Sequence, residues 1–306
     1  MVSELIQNRY VYHYTSLETL FAILGNYRKK EDKESLVFRA SNIFRVNDPS
    51  EMKPGYGIVK KFLCHYEEEM KIPQELRLSE VYKNKIYEDK CIDDYYSTIR
   101  RNTIEVGSVP YVISFSCKRD YLPMWSMYAN QGKGICLKFD VYEIINNWIE
   151  DPLEIGFVSY DGKSGFKSLN DIIPFYYDVC LKSWIRNEEK PTIEDKISEL
   201  STLCFSVSPF IKYKDYKYEK EFRMVYSKHY GIDIETFLDK KQLLLSLPVH
   251  EIAPYVEVPI YVHSLKEVML GPCTDGPILK DVVKRELDSC GLSVRISYSK
   301  VPFRIK

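Results

Sequence analysis

Residues 111–140, YVISFSCKRDYLPMWSMYANQGKGICLKFD, form the stretch that decides how this chain folds. Residues 111–117 are apolar and β-branched enough for a buried strand, and residues 134–140 alternate in polarity as a second strand does. Between them Pro123 can open a short helix, which Gly132 would end. The stretch therefore predicts two neighbouring strands that carry an aromatic helix between them.

The predicted helix presents two aromatic side chains on one face, because Trp125 and Tyr128 are three residues apart. Such a face is either a plug that packs on the sheet or a platform for a flat ligand. We expect Trp125 to pack on the sheet. Tyr128 lies nearer the end of the helix and is the better candidate for stacking on a ligand.

The composition is that of a globular protein with an ample core. The chain has 306 residues, 45% of them hydrophobic, and a formal net charge of −1. A net charge near zero provides no strong overall field for nucleic acid or membrane. The 25 Tyr residues stand out, and they suit ligand or partner surfaces as well as a simple compositional bias.

The eight Cys residues form no CxxC pair and none has a His at metal-binding spacing, so we expect no metal site. Glu4 and Arg9 interrupt any apolar run near the start, and we therefore expect no signal peptide. No stretch reaches the length of a membrane span. Free Cys residues without a targeting signal favour a cytoplasmic protein.

The order of the remaining segments favours an α+β fold with a mainly antiparallel sheet. Residues 9–15 predict a strand, followed by a helix that Gly25 would end. A second helix is expected from Pro49, after the Asn-Asp turn, and Asp48 and Glu51 are explained by turn and helix-start roles. The helical segments at about 66–107 and 170–209 are expected to cover the sheet as insertions in a single domain.

His13-Tyr14-Thr15 is the first candidate site, because it lies at the end of a predicted strand just before a helix. A His in that place can donate to a ribose hydroxyl or a phosphate, and the adjoining backbone can bond an amide. The alternative is a His whose ring is satisfied by a loop carbonyl, and for this motif taken alone the alternative is favoured.

Residues 218–225, YEKEFRMV, are the second candidate. On a strand Glu219, Glu221 and Arg223 share one face. Two carboxylates and a guanidinium on one face could stabilise a cationic transition state and orient hydroxyls. The alternative is an exposed face with cross-strand ion pairs, which is common on antiparallel sheets.

Five motifs in this order resemble a bacterial domain family of unknown function: YHYTS, FRVNDPSE, ISFS with PMWSMYA and GKGICLKFD, YEKEFRMVY, and LKEVMLGP. That family is in turn similar to the ADP-ribosyltransferase superfamily, in the branch that uses a His, a Tyr and a Glu. The resemblance implies a split, mainly antiparallel sheet with helical insertions. It also implies NAD as the substrate, no metal, and a transfer reaction onto nucleic acid or protein.

The resemblance assigns roles to residues one by one. His13 matches the family's His, with Thr15 beside it, and the backbone near Tyr14 would bond the nicotinamide carboxamide. Tyr128 matches the Tyr that stacks on nicotinamide, and Trp125 is its rival. A long gap between this Tyr and the later Glu departs from the family's pattern and must hold an insertion.

Glu221 matches the Glu that holds the reacting ribose, and the doublet leaves Glu219 as the alternative. Arg223 would hold Glu221 or a cofactor phosphate. Because such domains sit among bacterial defence proteins, the resemblance implies an antiphage effector or toxin, with a possible defence-system partner. A second hypothesis is a non-catalytic sensor module that binds a nucleotide or a protein through its aromatic surface.

Overall fold

The computed structural model describes most of the chain, namely residues 9–83, 110–147, 153–160, 173–175, 177–179, 184, 190–226, 244–246 and 253–304. The strands are β1 (Tyr10–Thr15), β2 (Ser35–Asn42), β3 (Tyr111–Ser116), β4 (Ile135–Asp140), β5 (Leu153–Phe157), β6 (Glu221–Tyr226), β7 (Leu244–Ser246), β8 (Ala253–Tyr261), β9 (Leu265–Leu270) and β10 (Arg295–Tyr298). The helices are α1 (Leu17–Lys29), α2 (Lys53–Glu69), α3 (Glu80–Lys83), α4 (Leu122–Tyr128), α5 (Val141–Asn146), α6 (Ile193–Val207) and α7 (Gly276–Ser289).

One mixed α/β architecture results, built on a mostly antiparallel open sheet. The main path of the sheet runs β10-β9-β4-β1-β3-β2-β8-β7, and β6 and β5 branch from β3. Among the described strands, only β9 and β10 pair in parallel. The predicted closeness of the strands in residues 111–140 is confirmed, because β3 and β4 both pair with β1.

The sheet opens between β1 and β2, which pair with opposite ends of β3. Tyr12 of β1 lies opposite Ser116, whereas Ser41 of β2 lies opposite Val112. Since β6 pairs along the whole length of β3, β1 and β2 must share the other edge of that strand. The backbone of β3 between these two contacts therefore faces an opening in the sheet.

The helix after β1 begins as expected and ends later than expected. The Ser16 hydroxyl accepts a hydrogen bond from the Thr19 amide, which caps the first turn. The expected end at Gly25 is wrong, because α1 continues to Lys29. A Gly inside a helix costs about 1 kcal/mol relative to Ala, and the burial of Leu24 and Tyr27 on either side offsets this cost.

The second helix also begins later than predicted. Pro49 and Glu51 precede α2, whose first residue is Lys53. Met52, at the N-cap, has a φ of 75°, so the chain turns sharply there before the helix starts. This turn leaves Glu51 fully buried, whereas a residue in the first turn of a solvated helix would be exposed.

Helices cover the sheet on both faces. A large apolar core contains Val11, Phe115 and Phe139 together with residues of α1 and α7. A second cluster holds Tyr12, Tyr14, Met124 and Trp125, and so fixes α4 onto β1, β4 and β9. Helix α6 contacts α2 and α3, which agrees with a peripheral helical layer. The expected helices within 84–109 and much of 170–190 lie outside the described residues.

Close approach of the backbone fixes the junction between α4 and β4. A Cβ atom built on Gly134 would lie 2.3 Å from the carbonyl oxygen of Thr15. Only a residue without a side chain can occupy this position. Across the part of the chain that the structure describes, no helix has the length and apolar character needed to traverse a bilayer.

Candidate functional site

A cavity of about 280 Å³ lies where β1, β3 and β6 meet α4 and the segment before α2. Residues directly opposite in antiparallel strands share a face, so Tyr12, Ser116 and Glu221 line the same side of the sheet. The cavity also brings together side chains from distant parts of the chain: His13, Arg39, Glu51, Met124, Tyr128, Lys212, Glu219 and Arg223. Six sequence-predicted residues therefore line one cavity: His13, Tyr14, Tyr128, Glu219, Glu221 and Arg223.

His13 occupies the opening in the sheet. Its Nδ1 lies 2.9 Å from the carbonyl oxygen of Ser114, in the stretch of β3 between the contacts with β1 and β2. Since a carbonyl only accepts, Nδ1 carries the proton. Burial lowers the pKa of His13, and the bond to Ser114 offsets this only in part. The ring is therefore neutral at pH 7, and Nε2 is an acceptor rather than the donor that the sequence suggested.

The rings of Phe38 and Phe115 hold the imidazole in place, each with its centroid 5.5 Å from that of His13. His13 and Arg39 also line a second cavity of about 330 Å³, which α1 borders. One residue from each of the two diverging strands thus lies between the two cavities. This arrangement follows from the opening of the sheet.

The predicted face of Glu219, Glu221 and Arg223 forms in a different way from the one expected. Strand β6 starts at Glu221, and Glu219 ends a 3-10 helix, Lys214–Glu219. Lys220 between them has a φ of 45°, in the left-handed region. The expectation that all three lie on one strand is wrong. The left-handed turn nevertheless returns the Glu219 side chain to the cavity.

Arg223 is fully engaged inside the protein. Its Nε donates to Oε1 of Glu221 at 2.8 Å, and one Nη donates to Oε2 at 3.1 Å. The two Nη groups also bond both oxygens of Glu51, at 3.0 and 2.5 Å, and the carbonyl of Pro209 at 2.5 Å. A guanidinium has five N–H donors, and these five bonds use them all. Arg223 therefore holds Glu221 and has no donor left for a cofactor phosphate.

Lys212 is the second cation of the cluster. Its Nζ donates to Glu219 at 2.8 Å and to Glu221 at 3.3 Å, and lies 3.4 Å from a Glu51 oxygen. The lysine and all three glutamates are buried. Three carboxylates thus share two cations, and the cluster carries one net negative charge when all are ionised. The exposed charge face proposed as the alternative is excluded, because every residue of β6 is buried.

The two carboxylates of the doublet differ in acidity. Burial alone would raise the pKa of Glu221, but the charges of Arg223 and Lys212 outweigh it and lower that pKa to about 2. Glu219 lacks the arginine, so burial dominates and raises its pKa despite Lys212. Glu221 is therefore an anion throughout the neutral range. Glu219 takes up a proton more readily.

Tyr128 meets the doublet from the other side of the cavity. Its hydroxyl donates to Oε1 of Glu219 at 2.6 Å. Burial raises the pKa of Tyr128, and Glu219 raises it further. The phenol stays protonated and fixes the carboxylate, and the side chain is partly exposed and lines the cavity.

Trp125, the rival of Tyr128, is fully buried and does not line the cavity in the described structure. Its Nε1 donates to Asp120 at 2.8 Å, and Tyr14 packs edge-on against it. The packing role is confirmed, and a cofactor-stacking role for Trp125 is wrong. Thr15 is also absent from the described cavity lining. Tyr14 lines it, with a hydroxyl that donates to the Lys118 carbonyl.

Four charged residues of the cavity were not assigned to a site from the sequence: Arg39, Arg45, Glu51 and Lys212. Arg39 is exposed on β2 and its guanidinium lies 4.5 Å from the ring centre of Tyr255. A helix-start role was the preferred explanation of Glu51, and none of the three cations belongs to a recognisable local pattern. Three carboxylates in a site with one known arginine call for a second cation, which was the available signal for a lysine. The described residues contain no group of side chains that could hold a metal ion.

No curated protein and no solved structure matches the chain. His13 and Glu51 lie outside the part of the chain that a family model does match. The matched part contains most of α4, including Tyr128, together with Lys212, Glu219, Glu221 and Arg223. The expected likeness to a domain family of unknown function is thereby confirmed over this part: residues 124–224 match the model of a family described as "Protein of unknown function (DUF2971)".

Proposed function

We propose that the protein is an ADP-ribosyltransferase-like enzyme that uses NAD as its substrate. The observation that carries the proposal is the convergence of His13, Tyr128, Glu219 and Glu221 on one cavity, although 208 positions separate the first from the last. A ring for stacking, a neutral His acceptor and a buried anion correspond to the His, Tyr and Glu that the resembled superfamily uses on NAD.

The size of the cavity fits one end of the dinucleotide. At about 280 Å³ it lies near the lower limit of roughly 300–1,000 Å³ for ligand sites. We infer that the nicotinamide ribose enters it, with the ring against Tyr128 and a ribose hydroxyl donating to Nε2 of His13. The carboxamide would bond the backbone near Tyr14, as in the families that the chain resembles.

Arg39 is the best candidate for the diphosphate. The donors of Arg223 are all engaged within the protein, so the phosphate role suggested for it passes to another cation. Arg39 is exposed, lies on the rim and stacks on Tyr255, which leaves its planar fork suited to bidentate contacts with phosphate oxygens.

In the reaction, the bond between the ribose C1′ and the nicotinamide nitrogen breaks, and its electron pair leaves with nicotinamide. Positive charge develops on the sugar, and the Glu221 carboxylate stabilises this charge while it accepts a hydrogen bond from a ribose hydroxyl. The acceptor nucleophile forms the new bond to C1′ and loses a proton. Glu219 can take up that proton, since its pKa is raised by burial.

The test is release of nicotinamide and transfer of label from adenine-labelled NAD, measured with and without nucleic acid or protein acceptors. Glu221→Gln should lower the rate about a hundredfold or more. Because this change also removes an ion pair, Tyr128→Leu serves as a second variant that leaves the Arg223 network in place. Trp125→Phe, which alters a buried ring behind the cavity, is the matched control. Full activity in both Glu219→Gln and Glu221→Gln would refute the transferase.

A non-catalytic nucleotide- or protein-binding module is the second candidate, favoured by one observation. Every carboxylate of the cluster already has a cation partner, Lys212 or Arg223, which also suits a structural network. Such a module would bind NAD or another nucleotide but would release no nicotinamide. Calorimetry measures the binding. Unchanged affinity in Glu221→Gln, together with no turnover in the wild type, would favour it.

A further inference from the structure

The 3-10 helix Lys214–Glu219 places aromatic and basic side chains in separate rows. Since this helix has three residues per turn, residues three apart lie on one side. Within the helix, Tyr216 and Glu219 form one row, which Tyr213 precedes at the N-cap. Lys214 and Lys217 form the row beside it, and Lys220 follows the helix in a left-handed conformation. The aromatic row ends at Glu219, which lines the cavity. The helix therefore leads from the surface directly to the candidate site.

Contacts in the structure support this arrangement of the aromatic row. Nζ of Lys212 lies 4.6 Å from the ring centre of Tyr216 and 2.8 Å from a Glu219 oxygen, so the ring of Tyr216 is next to the cluster. Tyr213, at the outer end, is 46% exposed. Beside the row, Met127 of α4 is 50% exposed and accepts a hydrogen bond from the Tyr218 hydroxyl.

The neighbouring row is a local positive patch on a protein whose net charge is only −1. Lys214, Lys217 and Lys220 are all exposed, against one exposed acid, Asp215, in the same segment. Lys118 adds to the patch, because the Lys220 carbonyl accepts from the neighbouring Cys117 amide at 2.7 Å. Lys118 and Lys220 are both exposed.

We propose that this surface, residues 213–220 with Lys118, binds single-stranded nucleic acid and presents it to the cavity as the acceptor. The exposed ring of Tyr213 and the partly exposed rings of Tyr216 and Tyr218 alternate along the sequence with lysines. This arrangement fits a strand whose bases are unpaired, because bases stack on aromatic faces while the ammonium groups follow the phosphates. A duplex hides those base faces. An acidic peptide would need the lysines and not the rings. The acceptor role rests on the proposed transferase function, whereas the binding does not.

Binding is tested first, without NAD, by fluorescence anisotropy on a labelled single strand of about twelve nucleotides. Tyr213→Ala should weaken binding about fivefold or more, and Tyr213→Phe should retain it, because stacking needs the ring alone. Lys214→Ala/Lys217→Ala should reduce the slope of log affinity against log salt by about 1.4. Lys280→Ala/Lys284→Ala, which removes two exposed lysines from α7, should leave the slope unchanged.

Three outcomes would overturn the proposal: equal binding of Tyr213→Ala and wild type, equal binding of an abasic strand and the normal strand, or equal competition by poly-glutamate, which would indicate an acidic protein partner. Because these measurements contain no NAD, they succeed or fail independently of the transferase. Transfer of label to the strand by wild type, lost in Tyr213→Ala while nicotinamide release persists, is the result expected for the acceptor role.

Discussion

Glu219 and Glu221 are two positions apart, yet neutralising them should change stability in opposite ways. Glu221 is held by Arg223 and Lys212, and these charges lower its pKa from 4.5 to about 2. Burial dominates at Glu219 and raises its pKa. Glutamine resembles the protonated acid in shape. Glu221→Gln should therefore destabilise the fold at pH 7, and Glu219→Gln should be neutral or slightly stabilising.

The size of the stability loss in Glu221→Gln follows from the pKa shift of Glu221. A fall in pKa from 4.5 to about 2 corresponds to about 3 kcal/mol of preference for the ionised form, at 1.36 kcal/mol per pKa unit. With an unfolding entropy of about 2.1 cal/mol/K per residue, this would lower the melting temperature by roughly 5 °C.

The effect of pH has a definite sign. The pKa of Glu221 is lower in the folded state than in the unfolded state. Its contribution to folding stability is therefore fully present above about pH 4.5 and is lost as the pH falls toward 2. For Glu219 the folded pKa is raised, and its ionisation costs stability as the pH rises. The difference in the free energy of unfolding between wild type and Glu221→Gln should therefore become smaller below pH 4.5.

Urea denaturation followed by circular dichroism measures both variants at pH 7 and at steps down to about pH 3.5. The variants Glu219→Gln and Glu221→Gln serve as controls for each other, because both positions lie in one cavity and differ mainly in contact with Arg223. Equal stability of Glu221→Gln and wild type at pH 7, or a larger loss in Glu219→Gln, would refute the assignment of charges in the cluster.

Three other changes have defined outcomes. Trp125→Phe removes the bond to Asp120 and part of a buried ring, so it should cost roughly 1–3 kcal/mol in urea denaturation while leaving NAD affinity unchanged. Arg39→Met should weaken NAD binding roughly tenfold or more in calorimetry without changing affinity for nicotinamide, because the guanidinium would contact only the diphosphate. Gly134→Ala would place a Cβ 2.3 Å from the Thr15 carbonyl and should lower the yield of folded protein, measured by soluble expression and melting temperature.

Much of the fold could be predicted because its signals are local. The strands and helix of residues 111–140 follow from apolar alternation and from Pro123, and the structure places β3, α4 and β4 there. The exceptions occur where tertiary packing overrides a local signal. At Gly25, the burial of Leu24 and Tyr27 outweighs the intrinsic tendency of glycine to end a helix.

The sequence predicted which residues form the site better than it predicted how they are arranged. Alternation along a strand assigned the doublet and Arg223 to one face, and the cavity does contain all three. Alternation alone could not show that Lys220 adopts a left-handed conformation and begins a new element. Nor could it show that the face is buried, because charged residues on a strand are usually exposed. The tautomer of His13 likewise depends on a β3 carbonyl that no nearby residue indicates.

The pairing of Glu51 with Arg223 shows why a buried charge cluster escapes local analysis. The two residues are 172 positions apart, and each has an acceptable local explanation, one as a helix starter and the other as part of a surface row. Burial makes these explanations insufficient, since an unpaired buried guanidinium or carboxylate is strongly disfavoured. Both residues belong to motifs of the ordered series, FRVNDPSE and YEKEFRMVY. Each motif therefore supplies a buried charge whose partner lies in the other motif, and the local pattern of either motif alone cannot reveal the pair.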